Sequence, residues 1–542
     1  MKMRAEQKTA VKNSIGRLVF VALSVLLQVI WICVQAMKLN RYSTWISVAT
    51  SVLTLVVVVL LYGRRTNAAF KMPWIILILA FPVLGLGMYL LFGRKEATQL
   101  VRERFERIDQ SLDGLLIQDK AVRIKLQQTD RMAANEAAYI WNYAKYPIYQ
   151  NTDVVFYKEA SEGIEAQKQA LNQAKHFIFM EYHAIEDKQS FGELKEILAR
   201  KAKEGVEVRL FYDDIGSIGF INTDFIQRME AEGIQCRVFN RLMPVLNVFM
   251  NNRDHRKITV IDGKIGFTGG YNLADEYFNI THPYGYWKDT GVRLEGDAVR
   301  SLTVMFLEMW NAIKGTDTDY TPYFLQDGAQ PHEAGLASSV GATQSDANIA
   351  ADSASGFVQP YADSPLDGEP GGENVYMGVV KAASEYVYFT TPYLIISDEM
   401  SRELCLAAKR GVDVRIVTPG IPDKKLVYRV TRSYYAQLAS AGVRIFEYTP
   451  GFLHAKQCVS DDVTATVGTI NLDYRSLYFH FENGVFLHRC EAVQKVREDF
   501  EDIFPVCREV TEQYAKKQSA AMKFGQCVLL SLIHISEPTR PY

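Results

Sequence analysis

Three apolar runs open the chain before any amphipathic pattern begins. Leu18 to Ala36 (LVFVALSVLLQVIWICVQA) and Trp45 to Tyr62 (WISVATSVLTLVVVVLLY) contain no charge, and each is about long enough to cross a bilayer as a helix. The length of the first run, the second run close behind it and the lack of an A-x-A site between them argue against a cleavable leader. A third stretch, Pro73 to Phe92, carries Pro82, Gly85 and Gly87 in its middle. Either it spans, or it re-enters or lies in the interface with its broken backbone covered by protein. Residues 1–94 therefore read as a multi-pass anchor in a cell membrane. Lys2, Arg4, Lys8, Lys12 and Arg17 precede the first run, only Lys38 and Arg41 lie in the first loop, and Arg64, Arg65 and Lys71 follow the second run. That asymmetry puts the amino terminus and the second loop in the cytoplasm. If the third stretch does not cross, the remaining chain is cytoplasmic, and if it does, that chain lies outside; Arg94, Lys95, Arg102 and Arg104 favour the cytoplasmic side.

After a helical connector over 95–152, short β-rich runs alternate with amphipathic helical stretches, which is an α/β signature. Ile178 to Tyr182 and Val208 to Tyr212 read as buried strands around a helix from Phe191 to Glu204, closed by Gly205. Val387 to Thr391 and Val414 to Val417 repeat the arrangement, closed by Gly411. Lys203-Glu-Gly-Val-Glu-Val-Arg209 matches Lys409-Arg-Gly-Val-Asp-Val-Arg415, and Glu232 to Phe239 matches Ala441 to Phe446 with a short gap. The same order twice indicates duplication, with halves at 153–326 and 357–515. Between them, 327–356 is rich in Ala, Ser, Gly, Asp and Gln and reads as a disordered insert. The last stretch, 530–542, resembles a translated sequencing adaptor and is set aside from the fold as a non-native tail.

Composition narrows the function classes. At 542 residues and 48% hydrophobic content the chain can bury a large core beside a membrane segment. A net charge of -2 makes no overall case for a nucleic-acid partner. Seven scattered cysteines without CxxC pairing suggest reduced thiols rather than a metal or disulfide framework.

The chemistry lies in a repeat. His255-Arg-Lys257-Ile-Thr-Val-Ile-Asp262 returns 199 positions later as His454-Ala-Lys456-Gln-Cys-Val-Ser-Asp461, and each copy places a glycine (Gly269, Gly468) and an asparagine (Asn272, Asn471) at the same distance beyond its Asp. From average residue usage such a pattern arises once in roughly ten million positions, so two copies point to one site built from two halves. If each motif lies on a strand, His and Lys two apart share a face. An ammonium beside a nucleophilic or acidic imidazole suits phosphoryl chemistry without a metal. The glycines let a backbone approach closely, and the asparagines can offer amide hydrogen bonds to an oxyanion. Aligning Asp289-Thr-Gly-Val with Glu482-Asn-Gly-Val pairs two carboxylates, read either as orienters of imidazole Nδ1 or as ordinary strand-end acids. Asp262 and Asp461, grouped with the catalytic motifs, are expected to brace them rather than take protons. The nucleophilic imidazole must start neutral while its partner starts protonated.

These motifs, with Gly269-Gly-Tyr-Asn272, Gly468-Thr-Ile-Asn471 and Phe481-Glu482-Asn483, resemble the phospholipase D superfamily. Tyr212-Asp-Asp-Ile-Gly-Ser217, Tyr286-Trp-Lys-Asp-Thr290, Thr391-Pro-Tyr393 and the apolar amino-terminal runs are similar to the bacterial cardiolipin synthase branch. The resemblance implies two phospholipase D-like α/β sandwich halves packed about a pseudo-twofold axis. It also implies a two-step phosphatidyl transfer between two phosphatidylglycerol molecules, with His255 as nucleophile and His454 as general acid and then base; the reverse assignment stays open. No metal, cofactor or nucleotide is demanded, and the partners implied are phosphatidylglycerol, other phospholipids and the membrane. A membrane-bound phosphodiesterase with water as acceptor would use the same residues. A nuclease of the superfamily fits less well, and a noncatalytic scaffold would be expected to lose a His or Lys. Leu242 to Met250, inserted before the first motif only, reads either as a membrane-dipping or as a buried loop.

Overall fold

The computed structural model describes residues 44–64, 68–92, 99–242, 248–324 and 356–515, with scattered positions between 19 and 37. The first apolar run lies mostly outside the described residues, as do all but the last residue of the insert 327–356 and the whole tail 530–542.

In chain order the strands are β1 (Thr152–Tyr157), β2 (Phe177–Tyr182), β3 (Glu207–Asp213), β4 (Gln235–Phe239), β5 (Arg253–Asp254), β6 (Lys257–Ile261), β7 (Ile265–Gly269), β8 (Tyr286–Lys288) and β9 (Gly291–Gly296). The second half continues with β10 (Phe357–Asp363), β11 (Tyr386–Thr390), β12 (Asp413–Pro419), β13 (Arg444–Tyr448), β14 (Gly451–Leu453), β15 (Gln457–Ser460), β16 (Thr464–Gly468), β17 (His480–His488) and β18 (Cys507–Glu509). One sheet runs β1-β9-β7-β6-β2-β3-β4, and the other runs β10-β17-β16-β15-β11-β12-β13 with β18 added at its edge. Strand for strand the two orders coincide, so the duplication read from sequence is a duplication of topology. β2, β3 and β4 are mutually parallel, as are β11, β12 and β13. Helices Gln189–Lys203 and Asp398–Lys409 make the corresponding crossovers, ending in Gly205 at φ 94° and Gly411 at φ 99°, a backbone region where glycine carries no Cβ penalty.

One core continues across the halves. Helix Val299–Ile313 buries all but a few of its residues and joins Phe179, Phe211 and Val260 of the first sheet to Val358, Tyr388 and Val485 of the second. Its other members include Phe105 of the connector helix Gln99–Leu112, whose ring stacks on Phe481 at 5.1 Å. Each such fully buried side chain contributes about 1.5–3 kcal/mol. Gln359, wholly buried, donates to Ala137 O at 3.1 Å and Tyr146 O at 2.8 Å, tying the end of the connector to β10.

Helices run Thr44–Gly63, Ala68–Ala80 and Pro82–Phe92, and side chains of the first are described from Val48 onward. Among the described residues, no helix is long and apolar enough to cross a membrane; the first expected span, 18–36, falls mostly outside them. The third stretch takes its broken alternative. Trp74 meets Tyr89 with ring centroids 5.5 Å apart, whereas the same separation along a straight helix would be about 22 Å. The chain therefore folds back at Phe81-Pro82. Gly85 permits this, since a Cβ there would lie 2.6 Å from Ile78 Cα.

Asp262 and Asp461 close the β6-β7 and β15-β16 hairpins in left-handed conformation, at φ 53° and 51°. The Asp262 carboxylate accepts from the backbone N–H of Lys175, His176 and Phe177 at 2.7–2.9 Å. Asp461 does the same for Ser384, Glu385 and Tyr386 at 2.7–3.0 Å. Each carboxylate thus anchors the entry to the central strand of its sheet. Asp262→Ala and Asp461→Ala are each expected to lower stability by about 2 kcal/mol, since three donors lose their acceptor at once; urea unfolding midpoints check this.

Candidate active site

Each half hands a strand to the other. β5 pairs in parallel with the start of β17, Arg253 opposite His480 and Asp254 opposite Phe481. β14 pairs in parallel with β8, Phe452 opposite Trp287 and Leu453 opposite Lys288. The residue that follows each bridge is the motif histidine. His255 N donates to Phe481 O at 2.9 Å and His454 N to Lys288 O at 2.7 Å. This register sets each imidazole against a carboxylate of the opposite half. His255 Nδ1 lies 3.0 Å from Glu482, and His454 Nδ1 lies 2.6 Å from Asp289 Oδ2. Both carboxylates are wholly buried, and the two imidazoles are nearly so.

The histidines do not share a strand with their lysines. β6 begins at Lys257 and β15 at Gln457, because His255 and His454 are still engaged in the bridges between halves. The lysines fold back instead: Lys257 Nζ donates to His255 O at 2.5 Å, and Lys456 Nζ donates to His454 O and lies 2.6 Å from His454 Nδ1. Asp262 and Asp461 stand at the far ends of β6 and β15, about 15 Å of extended chain from the lysines, so they touch neither imidazole.

Gly269 and Gly468 allow close approach of the adjacent strand. A Cβ on Gly269 would lie 2.5 Å from Thr290 O, and one on Gly468 2.4 Å from Asn483 O. The Asn272 amide is engaged within the protein, whereas the Asn471 side-chain oxygen is buried with no hydrogen-bond partner among the described residues. Asn272 Oδ1 accepts from Ala184 N at 3.1 Å and its Nδ2 donates to Tyr277 Oη at 2.8 Å, while Asn471 is held by Ser476 Oγ through its backbone N–H at 2.8 Å. The loop before β5 packs inward at its described ends. Leu242 is buried, and Phe249 sets its ring edge-on to Phe239 at 6.1 Å; Val245 lies outside the described residues.

Several side chains of the site carry no sequence signal of their own. Gly270 makes room for Asp289, whose Oδ1 would lie 2.0 Å from a Cβ there. Its counterpart Thr469 instead donates to Glu482 Oε2 at 2.5 Å, and Ser476 Oγ donates to Oε1 at 2.5 Å. His183 and His480 flank His255 with ring centroids 4.9 and 5.4 Å away. His454 sits among Trp287, Tyr277 and Phe452, at 5.3, 5.3 and 5.8 Å. The doublet Gly269-Gly270 and the position of His480 two residues before Glu482 were the only available hints.

Burial dominates the electrostatics. It lowers His454 to about 4, with the Lys456 ammonium adding and Asp289 opposing, and it holds His255 well below the usual imidazole range. Burial thus favours the neutral form of both imidazoles in the free site. Burial also brings Lys456 down to about 7, against Asp289, and Lys257 down to about 8, against Glu482. Burial raises the carboxyls, but Lys456 and His454 outweigh it at Asp289, as His255 and His480 do at Glu482, so both stay below the ordinary range. Lys257 also acts on His454 and Lys456, which places the two motifs in one field. A buried cluster of two ammonium groups and two carboxylate-backed imidazoles is suited to receive an anion and exchange groups on it.

Comparison with known proteins follows the same lines. A family model described as cardiolipin synthase, PLD-like domain matches residues 168–310 and 376–504, and one described as phospholipase D-nuclease N-terminal matches 51–94. An uncharacterized protein of Streptococcus mutans is 38% identical over 86% of this chain and 96% of its own length. The cardiolipin synthase of Halalkalibacterium halodurans is 32% identical over 84% of this chain and 88% of its own. Cardiolipin synthase 2 of Bacillus anthracis is 31% identical over 82% of each chain. Among solved structures, the phosphatidylserine synthase of Haemophilus influenzae superposes with a TM-score of 0.52 at 12% identity, over 74% of this chain and 99% of that one, a likeness of fold.

Two outcomes follow from the geometry. An imidazole at about 4 in the fold and about 6.5 when unfolded binds more protons in the unfolded chain between those values. Stability should therefore fall as pH drops from 6.5 towards 4, and His454→Gln should flatten that slope in urea unfolding series. Gly270→Ala should push Asp289 off His454 and lower kcat about 10–100-fold while the circular dichroism spectrum stays unchanged.

Proposed function

This chain belongs to the family of the cardiolipin synthase, PLD-like domain, and from that premise we propose that it joins two phosphatidylglycerol molecules into cardiolipin and glycerol. The observation that carries this reading is the exchange of carboxylates, Glu482 onto His255 and Asp289 onto His454.

With Nδ1 of each imidazole on a carboxylate, Nε2 is the nitrogen left for the phosphorus. In the first step His255 Nε2 attacks, the bond from phosphorus to the glycerol oxygen breaks, and His454 gives that oxygen a proton. A phosphatidyl-histidine remains. In the second step the primary hydroxyl of another phosphatidylglycerol passes its proton to His454 and displaces His255, forming the new phosphodiester. One ester replaces another, so no nucleotide enters. Lys257 and Lys456 face the non-bridging oxygens, where their charge takes the part a cation would otherwise play. The negative phosphodiester itself raises the affinity of His454 for a proton, so the acid is charged as substrate binds. The rings of Trp287 and Tyr277, with centroids 5.3 Å from that of His454, are within cation–π range of an imidazolium there, which supports His454 as the acid and His255 as the nucleophile.

The same proposal places the enzyme in a membrane. Residues 51–94 match the amino-terminal family model, and the exposed apolar side chains of Thr44–Gly63 and the hairpin 68–92 are suited to lipid. A third stretch that folds back returns the chain to the side it came from. Together with the basic residues around it, that supports a cytoplasmic catalytic region.

Detergent-purified protein given phosphatidylglycerol alone should yield cardiolipin and glycerol in equal amounts; phosphatidic acid with glycerol would overturn the transferase reading in favour of a hydrolase. His255→Ala and His454→Ala should each lose activity at least about 1,000-fold, and the His454 variant should retain radiolabelled phosphatidyl on His255.

A further inference from the structure

Glu482 is shared between two imidazoles. It lies 3.0 Å from His255 Nδ1 and 3.5 Å from His480 Nδ1. Both ring nitrogens of His480 are buried; Nδ1 has only the 3.5 Å approach to Glu482, and Nε2 has no hydrogen-bond partner among the described residues. An orphaned buried polar group costs about 1–3 kcal/mol, a cost that a ligand on those nitrogens would offset.

The geometry identifies the ligand class. One donor atom each from His255, His480 and Glu482 can be chosen so that all three lie within 4.8 Å of one another. Zinc bonds of about 2.0–2.1 Å in tetrahedral array put ligand atoms about 3.3 Å apart. Two of the three edges already stand at 3.0 and 3.5 Å. Two imidazoles and a carboxylate are a donor set for zinc and its late first-row neighbours. The other half of the molecule supplies a comparison. Trp287 precedes Asp289 by two residues, as His480 precedes Glu482, and its ring stands 5.3 Å from His454. An indole cannot ligate a metal there.

We propose that His255, His480 and Glu482 form an inhibitory site for a divalent transition-metal ion of the zinc type, present on one side of the pseudo-twofold axis only. The metal takes the lone pair of His255 Nδ1 and the carboxylate that faced it. The imidazole proton then sits on Nε2. No lone pair remains there to attack phosphorus, and no proton is gained or lost overall. Binding is independent of the transferase reading; inhibition rests on that reading, through His255 as the attacking group.

The test pairs a binding readout with an activity readout. Cobalt(II) added to the purified full chain should give one equivalent of visible absorption typical of low-coordinate sites, and zinc(II) should displace it. His454→Ala should keep that absorption although inactive, whereas His255→Ala and His480→Asn should lose it. In phosphatidylglycerol micelles, His480→Asn should need at least about tenfold more zinc(II) for half inhibition, relative to its own metal-free rate. No cobalt absorption in the unmodified protein, or equal absorption and zinc sensitivity in folded His480→Asn, overturns the proposal. A metal signal with these properties in a protein that makes no cardiolipin would sink the transferase reading and leave the site standing.

Discussion

The parallel bridges between halves, β5 on β17 and β14 on β8, are the constraint on which the site depends. A half alone carries a histidine and a lysine, but the carboxylate that holds that histidine is on the other half. Because side chains alternate along a strand, a slip of one residue in either bridge would turn the imidazole to the opposite face. The register is secured from both sides. Backbone bonds from His255 to Phe481 and from His454 to Lys288 fix the chain direction, and the core through helix Val299–Ile313 keeps the two sheets at a constant separation. Phe105 stacked on Phe481 adds the connector as a third support directly behind Glu482.

A site held this way can afford charges that would otherwise be prohibitive. Two lysines, two carboxylates and two imidazoles lie buried in one interacting cluster, where each unpaired ion would cost several kcal/mol. The carboxylates keep their charge because each faces a ring nitrogen and an ammonium. The lysines are loosely charged by comparison, at about 7 for Lys456 and about 8 for Lys257. With both imidazoles neutral, the two ammoniums and two carboxylates of the free site nearly balance, so an anion entering it would draw protons onto the lysines and an imidazole. Preorganised donors of this kind need little reorganisation as charge moves across phosphorus, which is where electrostatic catalysis gains most.

Much of the scaffold was legible in the sequence for local reasons. Strand runs such as Ile178–Tyr182, the helix-closing Gly205 and Gly411, and the twin motifs depend on neighbours a few residues away. Pro82 and Gly85 marked a broken third stretch, although not the contact of Trp74 with Tyr89 that makes it a hairpin. What crossed between halves was hidden. Aligning Asp289 with Glu482 paired the carboxylates with each other, yet no local pattern says that each serves the histidine of the opposite half. The asparagines occupy repeating positions but are not equivalent: the Asn272 amide is taken up by Ala184 and Tyr277, whereas Asn471 keeps a buried side-chain oxygen with no hydrogen-bond partner among the described residues. His183 and His480 approach His255 from separate elements, so no spacing announced them.

Duplication by itself would give two equivalent imidazoles, and a two-step transfer has no use for equivalents. The fold keeps the backbones matched while the neighbours diverge. At the position two residues before the carboxylate, one half has His480 and the other Trp287. At the position after the motif glycine, one half has Thr469 donating to Glu482 and the other Gly270 making room for Asp289. His255 consequently lies between two further imidazoles, in a polar setting rich in donors, while His454 lies against aromatic rings with the shorter carboxylate at 2.6 Å. A cation is better tolerated against aromatic faces than beside other bases that compete for the same proton. In the proposed transfer the two halves thus share one architecture and still divide the labour between a group that attacks and a group that carries the proton.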